Sequence, residues 1–209
     1  MYVAFIDHYD SFSFNIVDWL IRNDFLVEYF RFDDLEKLAI LANHLRPLVL
    51  SPGPGHPDDY ASSLTLVRQA SGRVPILGIC LGHQILSAAN GANIVRSRSP
   101  FHGSTKRLDW HGHHNFENSH YAVSYNSLAA QFAVVPAGTS VMATSDGGEA
   151  QVIAIKHENW NYRALGIQFH PESYAGSCFD FLLAQLREDT RLFWDSKRNG
   201  PILTQQFSE

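Results

Sequence analysis

Over the first ninety residues, short apolar runs alternate with amphipathic stretches, and this alternation leaves few folds open. Residues 2–6 (YVAFI), 25–30, 48–50 and 75–79 (PILGI) are apolar runs of strand length. The segments between them carry helix signals. Asp10 or Ser11 can cap a helix reaching about Asn23, with Phe12, Ile16, Trp19 and Leu20 at helical spacing. Asp33 or Asp34 can cap a second over 33–45, a third covers 58–70, and a fourth covers 81–90 before Gly91 stops it. Such alternation predicts an α/β chain: a single domain with a mostly parallel, doubly wound sheet and helices on both faces. Ligands of these sheets bind beyond the carboxyl ends of the strands. The loop Ser51-Pro52-Gly53-Pro54-Gly55 and Cys80 both stand at such ends, so two separate segments point to one site.

The second half has shorter strand-like runs and denser turn signals. Residues 140–144 and 151–156 flank Asp146-Gly147-Gly148, a hairpin signal. A strand over 163–169 ends at His170, and a last helix is expected over 173–187, with Cys178 on its apolar side near Phe179 and Leu182. The expected domain spans 1–209, with its core over about 2–188 and a polar, less regular tail over 189–209 in which Leu192, Phe193 and Trp194 pack. A length of 209 residues suits one full-sized core. The net charge of −5 argues against nucleic acid as a partner, since phosphate backbones need clustered Lys and Arg. No apolar run is long enough to cross a bilayer, and the start MYVAFIDHYDSF lacks the basic flank and long apolar stretch of a signal peptide, so a cytoplasmic address and no membrane partner are expected. Two cysteines, Cys80 and Cys178, exclude a disulfide framework.

Gly78-Ile79-Cys80-Leu81-Gly82 is a G-x-C-x-G sequence between a strand and a helix, the thiol counterpart of a nucleophile elbow. A Cβ at either flanking position would clash in the tight turn, and a thiol at a helix N-terminus favours the thiolate. A buried structural cysteine is the commoner fate of a free thiol; the strand–helix context weighs against it. His170-Pro171-Glu172 ends a later strand, and residues two apart in extended chain project to one side, so the carboxylate can orient the imidazole as in a catalytic triad. Taken alone, that pair reads more readily as a helix cap beside a solvated charge. The Pro-Gly loop offers exposed N–H groups to an oxyanion, each worth on the order of 10²–10³ in rate, although Pro-Gly sequences also make plain turns.

SPGPG at 51–55, GICLGHQ at 78–84 and HPES at 170–173 resemble the three signature blocks of the class I glutamine amidotransferases, in the family's order. IDHYDSFSFN at 6–15, His102-Gly103 and YNSL at 125–128 resemble the amidotransferase subunits of chorismate-using synthases, those making anthranilate or aminodeoxychorismate. The resemblance runs from Tyr2 to about Leu186 and implies the flavodoxin-like amidotransferase fold. It implies that Cys80 attacks the side-chain amide of L-glutamine, that His170 relays the proton and that Glu172 orients His170. It further implies a glutamine pocket of Gly53, Pro54, Gly55, Leu81, Gln84, Ser127 and Leu128, with Gly53–Gly55 and Leu81 supplying oxyanion donors. No cofactor is implied for this chain. Mg²⁺ belongs with the expected partner, a chorismate-binding synthase large subunit, in a heterodimer or heterotetramer. The product, anthranilate on the tryptophan route or aminodeoxychorismate on the folate route, is set by that partner.

Asn126 stands where the family usually has His, and Ser104 where it often has Lys. His111, His113, His114 and His120 lie in a polar loop without regular ligand spacing, so no metal site is expected. His83 has no chemical step to perform and reads as structural. Asp7, Tyr9, Asp10 and Ser11 read as caps of the first helix that also line a partner-facing edge. Two other readings compete: a stand-alone γ-glutamyl hydrolase, which the IDHYDSF and YNSL blocks disfavour, and a non-catalytic regulatory subunit, which an intact Cys80, His170 and Glu172 disfavours.

Overall fold

A computed structural model of the chain describes residues 1–98, 104–111, 121–145, 148–171 and 177–199, with 104–106, 177–181 and 199 described through the backbone alone. In chain order the strands are β1 (Tyr2–Asp7), β2 (Leu26–Arg31), β3 (Leu48–Leu50), β4 (Ile76–Ile79), β5 (Asn93–Arg96) and β6 (Ser104–Arg107), then β7 (Asp109–Trp110), β8 (Tyr121–Ser124), β9 (Leu128–Gln131), β10 (Thr139–Ser145), β11 (Glu149–Ile155) and β12 (Ala164–Ile167). The helices are α1 (Ser13–Arg22), α2 (Leu35–Asn43), α3 (Ala61–Ala70), α4 (Leu81–Ala89) and α5 (Ser177–Asn199), with one 3₁₀ turn over Pro57–Asp59.

Five strands pair in parallel in the order β2-β1-β3-β4-β12. This is the flavodoxin-like doubly wound order, whose switch point lies between β1 and β3. The expected parallel sheet is thus one half of a larger mixed sheet. Beyond β12 the pairing turns antiparallel through β11, β10 and β7, and β9 and β5 branch from β11. The hairpin flanking Asp146-Gly147-Gly148 forms as β10–β11; Asp146 and Gly147 themselves lie outside the described residues.

Side chains alternate across the parallel strands and so build two cores. On one face Val3, Phe5, Val49, Leu77, Ile79, Leu165 and Ile167 pack with Ile16 and Leu20 of α1 and Leu182, Leu183 and Leu186 of α5. On the other, Ala4, Ile6, Leu48, Leu50, Ile76 and Ala164 pack with residues of α2, α3 and α4, among them Leu41, Val67 and Ile85.

Two expectations shift. α1 begins at Ser13 with Phe12 as its N-cap and no side-chain cap. Asp10 instead turns the approach, accepting from the Phe12 N–H at 2.8 Å, while the buried Asp7 carboxylate takes the Ser13 hydroxyl. Asp34 does cap α2, accepting from the Lys37 N–H. The last helix does not stop near Arg187 but runs to Asn199, so half of the expected tail is helical and Phe193 joins the core. Trp194 donates to the Tyr2 carbonyl at 3.0 Å, whereas Leu192 faces outward. The side chain of Cys178 and residues 200–209 lie outside what is described.

Candidate active site at the carboxyl ends of the parallel strands

Cys80 is the single residue between β4 and α4, with φ +51° and ψ −104°. Among the described residues only Tyr9 and Asp24 share a positive φ without being glycine. This region is unfavourable for any side chain, and such strain persists only where the surroundings over-determine it. Here they do. The Cys80 N–H donates to Ile167 O at 2.8 Å, and Cys80 O accepts from the Gln84 N–H at 3.1 Å. α4 is drawn against the sheet until backbone meets backbone. A Cβ on Gly78 would lie 2.4 Å from Gly82 O, and one on Gly82 would lie 2.4 Å from Leu50 O. The two flanking glycines are therefore required by helix-to-sheet approach. A Cβ on Gly166 would strike the His83 ring, which is wholly buried and donates through Nε2 to Ala150 O at 3.1 Å. Burial holds His83 neutral, its pKa lowered to about 4. Its place is structural, pinning α4 to the sheet.

The Pro-Gly loop is held from three sides. Ser51 O accepts from Gly82 N–H at 3.2 Å, and the Tyr60 hydroxyl donates to Pro54 O at 2.7 Å. The third support is His8, which the sequence reading did not single out. Its backbone N–H donates to Ser51 Oγ at 2.8 Å, its Nδ1 lies 3.1 Å from the same oxygen, and its Nε2 lies 2.9 Å from Ser63 Oγ. Ser51 gives its own proton to Pro52 O, so it can only accept from His8. Nδ1 therefore carries the proton, and Ser63 donates to Nε2. Burial lowers the His8 pKa to about 4, against a nearby Asp7 that raises it. One sequence signal for His8 existed: it directly follows β1, whose Ile6 lies beside Leu50 of β3, so His8 and Ser51 must be neighbours.

The residues expected to form a glutamine pocket converge in part. A Cβ on Gly53 would meet Leu81 Cδ2 at 2.6 Å and the Cβ of His8 at 2.7 Å, so the loop closes directly over the start of α4. Gln84 donates through Nε2 to Leu128 O at 2.9 Å and to Gln168 Oε1 at 3.0 Å. Gln168 Nε2 in turn donates to Cys80 Sγ at 3.7 Å. Gly55 has φ +78° and Pro54 and Gly55 are exposed, while Ser127 turns outward and accepts through its carbonyl from Ser97 N–H. Asn126 donates through Nδ2 to Leu128 O at 2.8 Å.

His170 is 2 % exposed, and its ring is wedged edge-on between Tyr125 (4.9 Å) and Phe12 (5.6 Å). β12 ends at Ile167 rather than at Phe169, and the chain bends at Gln168-Phe169. His170 is then placed by its N–H donating to Val123 O at 3.1 Å, not by strand geometry. Cys80 and His170 still belong to one corner, because Ile79 pairs with Ile167 in the parallel register. Glu172 lies outside the described residues, as do His102, Gly103, His113, His114 and His120. His111 is exposed and its Nε2 lies 3.0 Å from Thr144 Oγ1. Among the described residues no helix is long and apolar enough to cross a membrane.

A family model described as glutamine amidotransferase class-I matches residues 4–185. The chain is 38 % identical over 176 residues to the bifunctional protein TrpGD of Thermotoga maritima, covering 82 % of this chain but 29 % of that longer protein. It is 37 % identical to aminodeoxychorismate synthase component 2 of Escherichia coli, covering 82 % and 91 % of the two chains. It is 34 % identical to aminodeoxychorismate/anthranilate synthase component 2 of Bacillus subtilis, covering 82 % and 88 %. In fold it is similar to a solved glutamine amidotransferase from Thermotoga maritima, with a TM-score of 0.65 at 18 % identity, covering 95 % and 92 %. With the family model spanning most of the chain and relatives above 30 % identity matched nearly end to end, this protein belongs to the class I glutamine amidotransferases.

Proposed function

We propose that Cys80 is the nucleophile of a glutaminase reaction, with His170 as its acid–base partner and Glu172 orienting His170. The observation that carries this is the strained Cys80 backbone at the head of α4, a conformation with no structural use if the side chain were mere filling. The thiolate attacks Cδ of L-glutamine, and the carbonyl oxygen becomes an oxyanion. That charge meets backbone N–H groups of the Gly53–Gly55 loop and of Leu81, whose N–H, at the first turn of α4, has no acceptor within the helix. The C–N bond breaks as His170 protonates the nitrogen, ammonia leaves, and a γ-glutamyl thioester remains on Cys80. Water, deprotonated by His170, hydrolyses the thioester to glutamate. Gly53, Pro54, Gly55, Leu81, Gln84, Ser127 and Leu128 form the glutamine pocket. The reaction needs no cofactor of its own.

The names of the relatives, component 2 of anthranilate and aminodeoxychorismate synthases, support one fate for the ammonia. This chain delivers it to a chorismate-binding synthase subunit, which holds Mg²⁺ and makes anthranilate or aminodeoxychorismate, in the cytoplasm. The direct test mixes the chain with an anthranilate synthase large subunit, chorismate, Mg²⁺ and glutamine, and follows anthranilate fluorescence. Fluorescence that depends on glutamine and is lost in Cys80→Ser is expected. A Cys80→Ser variant as active as wild type sinks the nucleophile assignment. A large subunit that responds to free ammonia but never to glutamine moves the partner to an aminodeoxychorismate synthase or another synthase.

A further inference from the structure

Gln168 lies between the strand that ends beside Cys80 and the His170 block, and it takes no step in the glutaminase reaction. It is fully buried. The polarity of its amide follows from elementary hydrogen-bond accounting. Leu128 O is a carbonyl and can only accept, so the Gln84 atom 2.9 Å from it must be the NH₂ nitrogen. That nitrogen's second contact, at 3.0 Å, must then be an acceptor, which fixes Oε1 of Gln168 toward Gln84. Nε2 of Gln168 is left facing Cys80 Sγ at 3.7 Å. The Leu128 carbonyl is itself anchored a second time by Asn126 Nδ2 at 2.8 Å. A three-link relay, Leu128 O to Gln84 to Gln168 to Sγ, thus forbids either amide from flipping. An N–H is locked onto the sulfur, and a hydrogen bond donated to the charged form of a group favours that form.

We infer that Gln168 is a positioning residue that holds the Cys80 sulfur as the thiolate, and that Gln84 acts on the nucleophile through it. The inference rests on the reading of Cys80 as nucleophile. It also narrows the part of Gln84 in substrate recognition. Both of its N–H bonds are committed within the relay, so only Oε1 can face a ligand, and the group it meets on glutamine must be a donor: the α-ammonium or the side-chain NH₂.

The test is Cys80-specific alkylation of the full chain by iodoacetamide, read by peptide mass spectrometry at pH 6 and pH 9.5, in wild type, Gln168→Met and Gln168→Glu. Losing one donated hydrogen bond to the thiolate should slow alkylation at pH 6 about tenfold and leave the pH 9.5 rate within about twofold. Gln168→Glu, nearly isosteric, places a carboxylate against sulfur and should slow the pH 6 rate further. Thiolate absorbance at 240 nm, taken as the difference from Cys80→Ser, reports the same ionisation without needing reagent access. A merely structural Gln168 would change both rates together. Identical pH 6 to pH 9.5 ratios in all three proteins, with superimposable 240 nm titrations, overturn the inference. Labelling of wild-type Cys80 by a γ-diazoketone analogue of glutamine separates the two readings. If the analogue fails while Gln168 still governs the alkylation ratio, the glutaminase assignment falls and the relay stands.

Discussion

At the scale of single residues, the site is built by positions that give up something. Cys80 sits at φ +51° with its Cβ retained, a conformation costing about 1–3 kcal/mol. The ordinary rule is that alanine in place of glycine stabilises by about 0.4–1 kcal/mol through the unfolded chain. At position 80 that order should invert. Cys80→Gly relieves the strain and loses only the entropic term, so it should unfold about 1 kcal/mol later in urea than Cys80→Ala, with neither variant active. Equal denaturation midpoints, or alanine the more stable, would show the backbone is unstrained. The glycines beside Cys80 make the complementary case. A Cβ on Gly82 would meet the Leu50 carbonyl, which is backbone and cannot rotate away, so α4 and Cys80 would have to move together.

At the scale of elements, the sequence carried the parallel half nearly whole, because β1, β3 and β4, buried on both faces, read as continuous apolar runs, while the helices between the strands bury one face each and show helical periodicity. The antiparallel half was legible only at the β10–β11 hairpin, where Asp146-Gly147-Gly148 marks a turn. Strands as short as β5, β7 and β9 have too few residues for alternation to register. The site was legible where glycine and proline punctuate the chain, and illegible where a role depends on strand neighbours: His8 and Gln168 acquire theirs from the β1–β3 and β4–β12 pairings. The early stop assigned to α5 has a different cause. Leu182, Leu183 and Leu186 set a helical stripe that Thr190 and Phe193 continue, but Asp189 and Thr190 carry it with polar side chains. Asp189 is tolerated there because Arg163 Nε lies 2.9 Å from its carboxylate. Phe193, 2 % exposed, packs edge-on against Tyr162 at 5.6 Å. Phe193→Ala should therefore cost about 3–5 kcal/mol by denaturant titration, as for a core aromatic. A loss below about 1 kcal/mol would mean that the last turns of α5 are an appendage.

At the scale of the whole molecule, two of the buried histidines, His8 and His83, set the response to acid. His8 braces the Pro-Gly loop and His83 pins α4, and burial lowers both pKa values from 6.5 to about 4. Both are neutral when folded. As pH falls below 6.5 the unfolded chain binds two protons that the folded chain refuses until about pH 4, so stability is unaffected above pH 7, declines between 6.5 and 4, and levels off below. Linkage gives about 2 kcal/mol per histidine lost by pH 5, hence about 4 kcal/mol together. That is a large share of the roughly 5–15 kcal/mol typical of a folded domain. Asp189 works in the opposite direction. Burial raises its carboxyl above the usual range, with Arg163 opposing, so it binds a proton more readily folded than unfolded and blunts the slope. Urea titrations at pH 7.5 and 5 should therefore show a marked loss in wild type. His8→Asn and His83→Gln should each be less stable at pH 7.5 yet lose about 2 kcal/mol less on acidification. The consequence reaches function through the loop. An opened loop lets His8 bind the proton that the closed loop refuses, so below pH 6.5 opening is favoured by the same linkage, and the Pro-Gly loop should loosen before the fold is lost. Faster proteolysis at that loop at pH 5, reduced in a variant that cannot titrate there, is the expected sign; a wild-type stability flat from pH 7.5 to 5 would show that neither ring is as deeply excluded from protons as its surroundings demand.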